Sequence, residues 1–384
     1  MQYQRRAMND PLNKALLPAG LRDALPEEAE REAAAVHSLM SAFRAEGYQT
    51  VKPPLMEFEQ SLLSGPGGEL AQHLFRLMDP ISQQMMGLRA DITPQIARIA
   101  ASRLAGSPRP LRLCYSGQVL RVRGDQLRPE RQFTQAGIEL FGSDAVKADV
   151  EIVLLIVSAL RAAGVEDLSV DLTVPSLAPA VLTGQGHEGT IADAAREALD
   201  GKDAGELRAI LGDDPLVFGL LEAVGPAKTA MPRLQALGLG GQAGQQIARL
   251  AQTIDAIMAV EPDLSLTVDP GEYRGFEYQT GVAFSVFAPG VRGEIGRGGR
   301  YVCETGEAAV GATVYLDSVL RALPSIPKPR RVYLPFGTDP DDARRCREQG
   351  NRVVAGLEPE ADPKAEARRL GCTAIWHKIE VKDI

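Results

Sequence analysis

RQFTQAGIELFG, residues 131–142, decides the fold. It alternates polar and apolar residues and is rich in aromatic and β-branched types, the pattern of an antiparallel strand. Successive side chains of a strand point to opposite faces, so Gln135 and Glu139, four apart, share a face. Polar residues along one face ordinarily mean only a solvated sheet. The neighbouring sequence therefore has to say whether this face meets water or a ligand.

Working outward, YQTVKPPLME (48–57), QMMGLRADIT (84–93) and RLCYSGQVLRVR (112–123) carry the same strand signature. Upstream, Leu25 to Gly47 has acidic first turns, apolar residues at helical spacing and a glycine stop, which predicts one amphipathic helix. Downstream, Asp149 to Ala163 returns to helical periodicity and VEDLSVDLTV (165–174) to strand. From about Pro175 to Val260 the composition shifts to Ala, Leu, Gly and Gln, an inserted helical subdomain. SLTVDP, FEYQTGVAFSVFA, EIGRGGRYV and AAVGATVYLDSVLRAL then return to strands ending in a helix near Pro324. The Pro-rich joint PSIPKPRR leads into a β-α-β-α-β alternation over residues 330–384. The expected domains are a core spanning 1–324, with the insertion at about 175–260, and a short C-terminal α/β domain at 330–384.

With 384 residues, 45% of them hydrophobic and 24% charged, the chain can bury a sizeable core. No apolar run reaches the length of a membrane span, and MQYQRRAMNDPLNKALLP lacks a signal peptide's apolar stretch, so a cytoplasmic protein is expected. Its four cysteines, Cys114, Cys303, Cys346 and Cys372, have no CxxC spacing, so neither a disulfide framework nor a metal site is expected. A net charge of −8 gives no overall attraction to nucleic acid.

Several separated segments, in matching order across most of residues 17–324, resemble the histidyl-tRNA synthetase family. LPAGLRDALP is similar to its N-terminal signature. GYQTVKPPLME resembles motif 1 of class II synthetases, which implies a homodimer interface at Pro54 and Leu55. GLRADITPQ is similar to the loop that holds the amino group of histidine, here Asp91 and Thr93. YSGQVLRVR with RQFTQAGIELFG resembles motif 2, with Arg121 at the invariant arginine and Gln135 and Glu139 at the histidine-contacting glutamine and glutamate. YRGFEYQTGVAF resembles the histidine-specific motif: Arg274 and Tyr278 match, while Gln279 replaces its second tyrosine. GRGGRY resembles the glycine-rich strand that follows, although the run from Gly293 to Gly299 could equally be bulges or a turn. The resemblance implies an α+β fold of class II aminoacyl-tRNA synthetase type: an antiparallel sheet core with flanking helices, a helical insertion and a short C-terminal α/β unit.

The chemistry can be read without the family. Free histidine offers an ammonium, a carboxylate and a ring with two nitrogens, so a selective site needs an anion, a cation and an acceptor for the ring. Asp91 with Gln135 can take the ammonium, Arg121 or Arg274 the carboxylate, and Glu139 a ring N–H. Arg274 taken alone reads as a surface ion-pair residue.

Adenylation also needs positioned cations on the ATP phosphates. Aligning AAVGATVYLDSVL on motif 3 puts Tyr315, Leu316, Asp317 and Ser318 on the family's glycine-leucine-glutamate-arginine, so its arginine is lost at Ser318. The acid of the motif 2 arginine-x-glutamate triplet is Arg123, and the C-terminal tail is much shorter than the family's anticodon-binding domain. This profile resembles the regulatory subunits of short-form ATP phosphoribosyltransferase, which are synthetase-like but non-catalytic. The resemblance implies a cytoplasmic hetero-oligomer containing a homodimer, the separate catalytic subunit of the first step of histidine biosynthesis as partner, L-histidine as feedback effector, and neither cofactor nor tRNA. A divergent, active histidine–tRNA ligase is the alternative; a module sensing uncharged tRNA is a second.

Overall fold

The computed structural model describes residues 16–124, 128–273, 275, 278–324, 330–377 and 380–384, and in it the deciding strand runs from Gln132 to Phe141, buried on both faces. The chain divides into two compact units, Met1–Pro324 and Ser325–Ile384. The strands of the first are β1 (Gln49–Thr50), β2 (Met56–Phe58), β3 (Phe75–Met78), β4 (Met85–Leu88), β5 (Leu111–Leu120), β6 (Gln132–Phe141), β7 (Ser169–Thr173), β8 (Gly225–Pro226), β9 (Ser265–Val268), β10 (Ala283–Phe287), β11 (Gly296–Val302) and β12 (Ala308–Tyr315). Nine of them form one sheet in the order β1-β5-β6-β12-β11-β10-β7-β9-β8, and β2-β4-β3 form a second, small one. The large sheet is mostly antiparallel, with parallel pairing of β1 to β5 and of β7 to β9.

The two faces of β6 enter different cores. Ala136, Ile138 and Leu140 join the main core, which the helices Pro26–Ala45 and Val146–Ala162 cover with Leu39, Phe43, Ile152 and Ile156. Phe133 and Phe141 join a second cluster on the opposite face with Tyr115, Tyr301 and Tyr315. Gln135 and Glu139 belong to that second face and are 0% and 1% exposed, so it is not a solvated one.

Residues 48–57, read as one strand, are two short strands in different sheets. Pro53 and Pro54 have no N–H to give a ladder, and the chain leaves the large sheet at them and enters the small one. Of the strand read over 276–288, the described residues are strand at Ala283–Phe287, and the strand read through 123 stops at Leu120. The insertion consists of the helices Leu177–Gly184, Gly189–Asp200, Ala204–Leu211, Pro215–Glu222, Ala227–Ala236 and Gly241–Val260. It also contains the short β8, which pairs with β9.

In the second unit, β13 (Arg331–Leu334), β14 (Arg352–Ala355) and β15 (Ala374–His377) are parallel, with the helices Pro340–Glu348 and Pro363–Arg369 between them. A further strand, β16 (Glu380–Asp383), folds back antiparallel on β15 and extends the expected alternation. Among the described residues no helix is long and apolar enough to cross a membrane.

Candidate functional site

A cross-strand row explains where the sheet makes room. Glu139 of β6 lies opposite Gly311 of β12, which lies opposite Gly299 of β11. With two glycines in succession the row carries no side chain between Glu139 and Ala283 of β10, which leaves a hollow on the sheet face. A Cβ at Gly311 would collide with the Glu139 carboxylate. The hollow, with an empty volume of about 320 Å³, is walled by Asp91, Thr93, Glu139, Tyr278, Arg297 and Tyr301 among others. An outer cavity of about 820 Å³, open to solvent, shares Asp91, Thr93, Tyr278, Arg297 and Tyr315 and adds His73 and Arg121.

At the floor, Glu139 accepts two hydroxyl hydrogen bonds: Thr93 Oγ1 donates to Oε1 at 2.9 Å and Tyr301 OH to Oε2 at 2.8 Å. Tyr115 OH lies 3.2 Å from Thr93 Oγ1 and 2.7 Å from Thr313 Oγ1, so the donor Thr93 is itself positioned. Burial raises the Glu139 carboxyl to about 8; the donated bonds from Tyr301 and Thr93 pull the other way, and nearby Asp91 adds to the rise. An added N–H donor is what such a carboxylate lacks.

The wall is built from the turn between β4 and the helix Thr93–Ala101. Asp91 Oδ1 accepts from the Thr93 N–H at 2.8 Å, and Oδ2 accepts from Gln135 Nε2 at 2.7 Å. Gln135 Oε1 in turn accepts from the Ile92 N–H at 3.1 Å. Gln135 thus stands behind Asp91 and fixes it, and it lines neither cavity, unlike its expected role on the ammonium. Asp91 faces both cavities and remains the anion available to a ligand cation.

Arg121 lines the outer cavity. Its guanidinium lies 5.2 Å from the Phe133 ring centre and its Nε donates to the Ala90 carbonyl at 3.4 Å. No carboxylate among the described residues lies within ion-pair distance of it. Tyr278 stands edge-on to Tyr301, ring centres 5.8 Å apart. Arg274 lies outside the described residues. Arg123 is exposed and lines neither cavity. Pro54 and Leu55 are exposed, on the small sheet's side of the proline corner and away from the cavities.

Four further side chains at or beside the candidate site were not read from the sequence. Arg297 lines both cavities and donates to the Gly275 carbonyl at 2.7 Å and to Glu294 at 2.8 Å. Tyr301 and Arg297 both sit in the glycine-rich strand on the face of Gly299, and their spacing of four was the available signal. Tyr315 lines both cavities, and the Arg128 guanidinium lies 3.7 Å from its ring centre. Arg89, 6% exposed, ties the proline corner to the binding turn: Nε donates to Gln118 O at 2.7 Å and Nη1 to Pro53 O at 3.1 Å. Gly117 leaves the slot for that guanidinium. At the motif 3 position, Ser318 is buried and accepts from Arg321 Nη2 at 3.0 Å, while Asp317 pairs with Arg321 at 3.1 Å.

The arrangement can hold a small zwitterion whose ring has an N–H: Asp91 for the ammonium, Arg121 and Arg297 for the carboxylate, Glu139 for the ring. The family described as histidyl-tRNA synthetase matches residues 20–319. The chain is 52% identical over 380 residues to an ATP phosphoribosyltransferase regulatory subunit of Rhodospirillum centenum, covering 98% of each chain. To the protein of the same description from Paramagnetospirillum magneticum it is 54% identical over 367 residues, 95% of this chain and 97% of the other. Among solved structures, one described as an ATP phosphoribosyltransferase regulatory subunit/histidyl-tRNA synthetase from Bacillus halodurans superposes with a TM-score of 0.78 at 24% identity, covering 92% of this chain and 96% of that one. A histidyl-tRNA synthetase from a Nostoc species gives a TM-score of 0.77 at 19% identity over 94% and 90%. At those identities the two structures bear on the fold alone.

Proposed function

Because the chain belongs to the family of ATP phosphoribosyltransferase regulatory subunits, a non-catalytic branch with the histidyl-tRNA synthetase fold, we propose that its cavity binds free L-histidine and that a separate catalytic subunit reads the occupancy. In this reading the subunit is needed for the first step of histidine biosynthesis and carries its feedback inhibition. It works as a homodimer, meeting at Pro54 and Leu55, within a hetero-oligomer, with no cofactor and no tRNA.

One observation carries the reading: a buried carboxylate, Glu139, lies at the end of a cavity whose mouth holds Asp91 and the guanidinium of Arg121. Its two internal donors are hydroxyls fixed by the protein, and a ring N–H completes the set. An apolar amino acid would leave that carboxylate desolvated without a new partner, which is how a polar site rejects analogues.

Calorimetric titration of the isolated subunit tests the site. Histidine should bind and leucine should not. Leaving the ring N–H without a partner in a buried site costs about 1–3 kcal/mol, so Glu139→Ala should weaken histidine by roughly five- to 150-fold. Unchanged affinity in the variant would remove Glu139 from the site. Turnover of the copurified catalytic subunit, with and without this chain and histidine, tests the regulation.

A further inference from the structure

Between β9 and β10 the chain runs from Asp269 to Val282 with no regular structure among its described residues, so its position depends on side chains from elsewhere. Thr173 of β7 donates to Glu272 O at 3.0 Å, and the helical insertion supplies a second group of such side chains. The helix Gly189–Asp200 ends in a turn at Lys202, whose φ of +56° is disfavoured for a residue with a Cβ. From that turn the Lys202 ammonium reaches Leu199 O at 3.3 Å and the Asp269 carboxylate at 2.7 Å. Asp269 Oδ1 also accepts from the Gly271 N–H at 3.0 Å. Asp200 Oδ1 accepts from the Tyr273 N–H at 3.0 Å, and the Arg196 guanidinium lies 4.4 Å from the Tyr273 ring centre. One helix end therefore holds two residues of the segment, Asp269 and Tyr273.

The same segment continues into the pocket rim. Gly275 accepts from Arg297, which lines both cavities. Tyr278 lines both cavities too and stands against Tyr301, the donor to Glu139. Arg196, Asp200 and Lys202 line neither.

We propose that Lys202 and Arg196, in the helical insertion, are positioning residues of the effector pocket: by gripping Asp269 and Tyr273 they fix the rim formed by Gly275 and Tyr278. The insertion is then a part of the binding site that never touches the ligand. This inference rests on the histidine reading above, so its test has one readout that does not need histidine.

In the full-length subunit without ligand, amide hydrogen exchange at Gly271 and Tyr273 should quicken by roughly ten-fold in K202M/R196M, since exchange reports local opening. Histidine affinity by calorimetry should fall by roughly ten-fold, in the range found for residues that act through a neighbour. The melting temperature of the unliganded protein should stay within a few degrees, and Lys202→Arg with Arg196 intact should keep both readouts at the parent level. If the double variant fails to fold, K202M alone carries the test. Unchanged exchange in the segment overturns the proposal, and so does faster exchange with histidine affinity within two-fold of the parent. A parent protein that does not bind histidine would instead overturn the functional reading, while the exchange result still decides whether the insertion grips the segment.

Discussion

At Glu139 two hydroxyls donate to a carboxylate that water barely reaches, and the proton equilibrium records what that costs. Its carboxyl is raised from 4.5 to about 8, with burial as the first cause. The folded chain therefore binds this proton more tightly than the unfolded chain does. Stability contributed through this group is greatest below about 4.5 and is lost as pH rises toward 8. The slope of melting temperature against pH across that window should accordingly be more negative in the parent than in Glu139→Gln, which has no proton to lose. Parallel profiles would mean that Glu139 does not titrate there. The resemblance to motif 2 made this residue a candidate, while the period of two shared with Gln135 said only that both lie on one face. Its burial was not legible, because its carboxylate lies over Gly311 of β12, a strand that comes to β6 from residues 309–315. The same holds for Arg297 and Tyr301: their spacing gives a face, but only the register β6-β12-β11 says which face closes on Glu139.

Two junctions between elements bear on adenylation and on the proposed homodimer. Where β12 passes into the helix Leu316–Ala322, Tyr315 and Arg128 stack at the outer cavity and Ser318 stands buried where the family carries an arginine. A transition-state contact of that type is worth about 2.7–4 kcal/mol. Its loss, with Arg123 in place of an acid, should leave histidine-dependent exchange of pyrophosphate into ATP several orders of magnitude below that of a synthetase, and robust exchange would contradict this. At the other junction, the break at Pro53 and Pro54 starts a small sheet with unburied apolar residues: Leu55 is 45% exposed, Phe58 43% and Met78 56%. In the proposed homodimer each such residue occurs twice across the axis, so Leu55→Asp should shift the dimer toward monomer in light scattering; a parent protein that is already monomeric rules the contact out. Propensity foretold most of the helices and strands. It missed the split at 53–54, since a proline pair reads as a blemish in one strand until the two sheets are seen, and it missed β16, whose Glu380, Lys382 and Asp383 belong to an exposed edge.

For the whole molecule, regulation requires that the pocket and a distant active site share a free energy, and such coupling is reciprocal for binding. If histidine disfavours the active assembly, the substrate-bound assembly must hold histidine more weakly. A coupling of about 1–3 kcal/mol corresponds to a change of roughly five- to 150-fold in histidine affinity on adding phosphoribosyl pyrophosphate. Titrating the complex of this chain with its catalytic subunit, with and without that substrate, measures the change; equal affinities would leave the pocket without a regulatory output. The strand order has its own consequence for how the protein is made. Phe141 at the end of β6 meets Ala309 of β12, about 170 residues later in the chain. At roughly 5–20 residues per second, a ribosome needs on the order of 10–30 seconds to supply that partner. During this interval the edge of β6 that carries Gln135 and Glu139 waits open beside β5. A nascent chain is then exposed to pairing with its neighbours on a polysome, and its yield should depend more on the pace of synthesis than on the stability of the finished fold.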